Sequence, residues 1–145
     1  MNMPDPASLV PHRDEALLLE RIESVTENGL VASLVAREVP GRGMPAWLGP
    51  EIMAQAISAF AAARAGPPYR PKLGLLLGIR SYRSVVPGFR AGARIRVSVR
   101  ESTRDEEGRA VFDAALEIDG AGVASAMLTV YQPEDFLAAL GEQLA

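Results

Sequence analysis

Glu51 is the only charged residue between Arg42 and Arg64, and its neighbours Ile52, Met53, Ala54 and Ala56 are apolar. An unpaired charge is costly to bury, and an acid that is buried holds its proton more tightly. That behaviour suits a group that trades protons near neutrality. Gln55 follows one helical turn later on the same face, where its amide can orient the carboxylate. A plainer role exists for Glu51: an acid near a helix N-terminus complements the helix dipole by about 0.3–1 kcal/mol and needs no function. No histidine stands near this stretch. The single histidine, His12, lies far upstream, and it is expected to hold the start of the chain by hydrogen bonds rather than to act in chemistry.

The rest of the composition narrows the field. With 145 residues and 48% hydrophobic content, the chain reads as one globular domain spanning 1–145 with a real core. The absence of cysteine removes disulfides, thiolate metal sites and cysteine nucleophiles, and one histidine makes a histidine-built metal centre implausible. No metal centre is therefore expected. There is no apolar run of membrane-spanning length and no signal-peptide pattern at Met1-Asn2-Met3-Pro4, so a cytoplasmic protein without membrane association is expected. A net charge of −3 speaks against nucleic acid as a partner. The charges are unevenly spread: Ile52 to Arg100 contains no acid but nine basic residues, Arg64, Arg70, Lys72, Arg80, Arg83, Arg90, Arg94, Arg96 and Arg100. These either form an anion-binding face or pair across a sheet with acids of the flanking segments.

Those side chains must be held by the elements around them. Ala16–Val25 and Leu30–Arg37 read as strands joined at Glu27-Asn28-Gly29. Met44–Leu48 is an irregular lead-in to a helix that runs to about Ala65, with Pro50 in its first turn and Gly66-Pro67-Pro68 at its end. Trp47, Leu48, Ile52, Met53, Ala56, Ile57 and Phe60 surround this helix almost completely, so it should be buried, with Glu51, Gln55 and Ser58 as one narrow polar stripe. Four more strands follow: Leu73–Ser84, Ala93–Ser102, Arg109–Asp119 and Val123–Tyr131. In the second, Ile95, Val97 and Val99 alternate with Arg94, Arg96, Ser98 and Arg100. Pro133–Leu144 reads as a short amphipathic helix. This order, two strands, a buried helix and four strands, implies an α+β hotdog fold: an antiparallel sheet wrapped around a long central helix. Its open edges favour a dimer.

Three segments resemble one family in kind and order. Val10-Pro-His-Arg-Asp-Glu-Ala-Leu-Leu-Leu-Glu-Arg-Ile is similar to the opening of bacterial 3-hydroxyacyl-(acyl carrier protein) dehydratases. Pro40-Gly-Arg-Gly-Met-Pro and Glu51-Ile-Met-Ala-Gln-Ala resemble their loop and central-helix start, and Leu76-Leu-Gly-Ile-Arg-Ser-Tyr-Arg-Ser-Val-Val-Pro-Gly resembles the strand that follows. The Pro45-Ala46-Trp47 variant before the helix is similar to the dehydratases of aryl-polyene pigment clusters.

That resemblance implies a hotdog dimer with sites at the dimer interface and an acyl chain on phosphopantetheine as substrate, without a cofactor. A histidine in the loop takes the C2 proton, and an acid on the central helix of the other subunit helps the C3 hydroxyl leave. Backbone amides at the helix start polarise the thioester carbonyl, a role that unpaired first-turn N–H groups suit on physical grounds. On this chain the acid is Glu51, the helix-start residues are Ala46 and Trp47, and the histidine's place falls on Arg37 or Glu38. The missing histidine implies a partner, a related hotdog subunit that supplies one, although a homodimer is the simpler assembly. The expected activity is dehydration of 3-hydroxyacyl thioesters on acyl carrier protein or coenzyme A to trans-2-enoyl thioesters, in fatty acid or polyene biosynthesis. The basic stretch would receive the acidic carrier protein. Two alternatives remain: an acyl thioesterase in which Glu51 activates water, and a non-catalytic acyl-binding or partner subunit.

Overall fold

The computed structural model describes residues 3–37, 43–72, 74–133, 135, 138 and 141. The strands are β1 (Arg21–Val25), β2 (Gly29–Val35), β3 (Met44–Pro45), β4 (Leu75–Ser84), β5 (Gly88–Phe89), β6 (Arg94–Arg104), β7 (Arg109–Ile118) and β8 (Ala121–Tyr131). Two helices, α1 (Pro6–Leu9) and α2 (Gly49–Ala65), accompany them. Six strands form an antiparallel sheet in the order β1-β2-β6-β7-β8-β4, and β3 pairs with β5 in a separate two-stranded ribbon. The sheet packs its apolar face on α2, the hotdog arrangement expected from the sequence. Most of the expected helix from Pro133 to Leu144 lies outside the described residues, as do Pro40, Gly41 and Arg42 of the loop.

Periodicity explains the packing. On β6, Ile95, Val97 and Val99 are buried while Arg94, Arg96 and Arg100 are exposed, as a strand with one wet face requires. On α2, Ile52, Met53, Ala56, Ile57, Ala59 and Phe60 are all buried. Phe60 meets Phe112 of β7 edge to face, with ring centroids 5.7 Å apart, and so ties the helix to the middle of the sheet. Gly66, at φ +80°, ends the helix in a conformation that other residues avoid. No helix among the described residues is long and apolar enough to cross a membrane.

The first expected strand is shorter than Ala16–Val25. Asp14–Ala16 forms a 3-10 turn, and β1 begins only at Arg21. The cause is local competition for hydrogen bonds: the Gln55 side chain takes both the Leu18 N–H and the Ala16 carbonyl, leaving less for a neighbouring strand. Leu9 and Val10, fully buried beside α2, anchor the chain ahead of this turn.

The β6–β7 turn is held by Asp105, whose Oδ1 accepts from the N–H groups of Glu107 and Arg109 at 2.9 Å each. The bond from the Arg109 amide is the main reason its carboxyl sits below the usual carboxylate range. A group whose folded-state pKa is lowered stabilises the fold above its unfolded value, and the contribution fades as pH falls through the folded one. Asp105→Asn is therefore expected to lower the melting temperature slightly at pH 7 and to have no effect at the acid end. Thermal unfolding of both proteins across that range checks it.

Candidate active site

Pro50 and Glu51 occupy the first turn of α2, where the missing proline N–H does no harm and an acid faces the positive end of the helix dipole. Glu51 is not buried in the apolar run around it: its side chain is 45% exposed, as the cost of burying an unpaired charge favours. Its apolar neighbours turn into the core, whereas Glu51 faces the N-terminal segment at the rim of the helix.

That segment supplies the histidine that the local sequence lacks. His12 Nε2 lies 3.1 Å from Glu51 Oε1, which corrects the expectation that no histidine stands near the acid. Proximity here is made by the fold and not by sequence spacing. At this distance the imidazole and the carboxylate are close enough to pair or to act on one substrate together. The other ring nitrogen, Nδ1, is buried without a hydrogen-bond partner among the described residues.

Several side chains hold the pair in place. Gln55 is fully buried. Its Oε1 accepts from the Leu18 N–H at 2.8 Å, while its Nε2 donates to the Ala16 carbonyl at 2.7 Å and to Glu51 Oε1 at 3.1 Å. Gln55 thus contacts the Glu51 carboxylate and at the same time clamps residues 16–18. Arg37 donates to the Glu15 and Leu17 carbonyls at 3.1 and 3.2 Å. Arg37, one of the two positions to which the resemblance assigns a loop histidine, here fastens the segment that carries His12. Glu38, the other, lies outside the described residues. Arg13 donates to the Val10 and His12 carbonyls at 2.7 Å each and closes the loop around His12.

The helix lead-in departs from expectation in two ways. The Ala46 N–H donates to the Pro87 carbonyl at 3.1 Å, because β3 and β5 pair beside it, so this amide is not available to a thioester. Trp47 was expected in the apolar envelope of the helix but is 72% exposed, since the 3-10 turn Ala46–Leu48 swings it outward. As the helix-start residue, Trp47 retains an N–H with no partner inside the helix.

Tyr82 of β4, which sequence reasoning did not single out, donates its hydroxyl to the Ala46 carbonyl. Burial lifts its phenol above the ordinary value, against a smaller opposing effect of Ser84, and keeps it a donor. A Cβ on Gly49 would overlap the Tyr82 hydroxyl and crowd its ring carbon at 2.8 Å. Gly49→Ala is thus expected to displace Tyr82 and cost about 1–3 kcal/mol, measurable by urea unfolding.

Comparison with known proteins gives a consistent picture. A family described as ApeP-like, ApeP dehydratase, matches residues 4–141. A chain of "The Dehydratase Heterocomplex ApeI:P from Xenorhabdus doucetiae" is 25% identical with a TM-score of 0.80, covering 91% of this chain and 93% of that one. S. sahachiroi AziG superposes with a TM-score of 0.66 at 16% identity, covering 86% of this chain and 98% of that one. A Streptococcus pneumoniae hypothetical thioesterase with coenzyme A gives 0.59 at 16% identity, over 77% and 84% of the two chains. The last two likenesses show the fold alone. No curated protein sequence matches.

Proposed function

The chain belongs to the ApeP-like dehydratase family, and from that premise we propose that it dehydrates 3-hydroxyacyl thioesters, carried on acyl carrier protein or coenzyme A, to trans-2-enoyl thioesters. The observation that carries the proposal is the His12–Glu51 contact at 3.1 Å, clamped by Gln55 at the start of α2. Elimination breaks the C2–H and C3–O bonds and forms the C2–C3 double bond. One member of the pair takes the C2 proton, and the other gives a proton to the departing hydroxyl, which leaves as water. The pair ends with the number of protons it began with, so nothing is consumed besides substrate. The Trp47 amide and the positive end of α2 stabilise negative charge on the thioester carbonyl.

Because His12 stands in the same chain as Glu51, a histidine from a partner is not required for the chemistry. A related hotdog subunit remains the proposed partner, in fatty acid or aryl-polyene biosynthesis in the cytoplasm. The likeness to a chain of a dehydratase heterocomplex supports it. So does the sheet edge: β4, paired only with β8, leaves the apolar side chains of Leu75, Leu76, Leu77 and Ile79 exposed. Leu77→Lys, on this edge, is expected to weaken association about tenfold or more, as sedimentation velocity would show.

The deciding assay follows enoyl absorbance and thiol release together, with the chain alone and mixed with a related hotdog subunit. Enoyl product lost in Glu51→Gln supports dehydration. Thiol release without enoyl product would replace it with the thioesterase alternative. Neither product from folded, assembled protein would leave an acyl-binding or partner role.

A further inference from the structure

The face of the sheet turned away from α2 carries a groove of about 500 Å³ lined by Arg21, Glu23, Ser24, Ser33, Arg94 and Arg96. Strand register sets Arg21 of β1, Ser33 of β2 and Arg96 of β6 in one cross-strand row, with Arg94 beside Val35 at the next outward position. Ser33 is a small residue between two long ones, so the row dips in its middle. Its side chain is almost completely buried, at 1% exposure, yet its Oγ has no hydrogen-bond partner among the described residues. Buried hydroxyls are normally paired, and an orphan one facing a groove marks a place for an acceptor from outside.

The electrostatics name the class of that acceptor. Arg64 pairs with Glu101 at 3.2 Å and Arg96 with Glu23 at 3.1 Å, so part of the basic stretch serves structural pairing. Arg21 and Arg94 have no acidic partner among the described residues, and Glu23 is the one acid lining the groove. Outside the lining, Glu117 lies opposite Arg96 on β7, and the Glu20 carboxylate is taken up by the N–H of Val35, the register partner of Arg94, at 2.8 Å. The lining therefore holds three guanidinium groups against one carboxylate, around a hydroxyl donor. Guanidinium forks match the oxygens of a tetrahedral oxyanion, and a hydroxyl completes the donor set.

We infer that Ser33, Arg21, Arg94 and Arg96 form a binding site for a phosphate group on the outer face of the sheet, separate from Glu51. The phosphate is either the free ion or a monoester on a larger molecule. Calorimetric titration of the full chain with inorganic phosphate and, separately, with coenzyme A as an organic phosphate monoester tests it. Saturable binding of either probe is expected, weakened about tenfold or more by Arg94→Gln and less strongly by Ser33→Ala, and falling with added salt. Glu51→Gln and Arg64→Gln should leave it unchanged, which separates this site from the dehydratase reading. Tighter binding of coenzyme A than of phosphate, still lost in Arg94→Gln, would assign the site to an organic phosphate. Equal or weaker binding would assign it to the free ion. Absence of saturation with both probes, or binding indifferent to Arg94→Gln and Ser33→Ala, would overturn the inference.

Discussion

Glu51→Gln and His12→Asn are each expected to lower the rate of enoyl formation about 100- to 10,000-fold, the range of a lost general acid or base. Glu51→Gln keeps the shape of the side chain and removes only its capacity to exchange a proton. His12→Asn removes the ring that faces Glu51 Oε1 at 3.1 Å. Both side chains are partly exposed, so the melting temperature should barely move. Two groups in contact that serve one elimination act as a unit, and the double variant should be no slower than the worse single one. Losses that multiply would show that the two act independently. A single variant with full activity would remove that residue from the chemistry.

Gln55→Leu carries the second large effect, on two observables at once. The substitution keeps the bulk but leaves the buried Leu18 N–H without an acceptor and the Ala16 carbonyl without its donor. The expected loss is about 2–4 kcal/mol, a large share of a typical 5–15 kcal/mol stability, and denaturant unfolding measures it. Gln55 also donates to Glu51 Oε1, the same oxygen that meets His12. Turnover of the protein that remains folded should therefore fall as well, even where substrate is saturating. A stability loss with unchanged turnover would make Gln55 a purely structural clamp. Its position is unusual for a polar residue, since it lies in the core beside Ile52, Met53 and Ala56 and satisfies its amide entirely through the N-terminal segment and Glu51.

Much of this architecture was legible in local pattern. The alternation on β6, the apolar helix ended by Gly66 and the turn at Asn28-Gly29 are short-range signals, because side chains recur with periods of two and 3.6 residues. From them came the order of elements, the wrapped helix and the placement of Glu51 and Gln55 on one face of it. Burial of individual residues at the helix start was less legible. The 3-10 turn ahead of α2 rotates Trp47 outward, although its place among the apolar helix positions suggested the interior.

The assignment of donors and acceptors at the site needed the fold itself. The Ala46 amide is taken by Pro87 because two distant segments pair as β3 and β5. Tyr82 reaches the same residue from β4. His12 meets Glu51 only because Leu9 and Val10 bury beside α2 and because Gln55 and Arg37 grip the following turn. By itself, the sequence determined the hotdog order of elements and the lone acid at the start of the central helix, since both rest on neighbours in the chain. The tertiary structure alone decided that this acid has a histidine for a partner, since hydrogen bonds between remote segments depend on packing that no local period encodes.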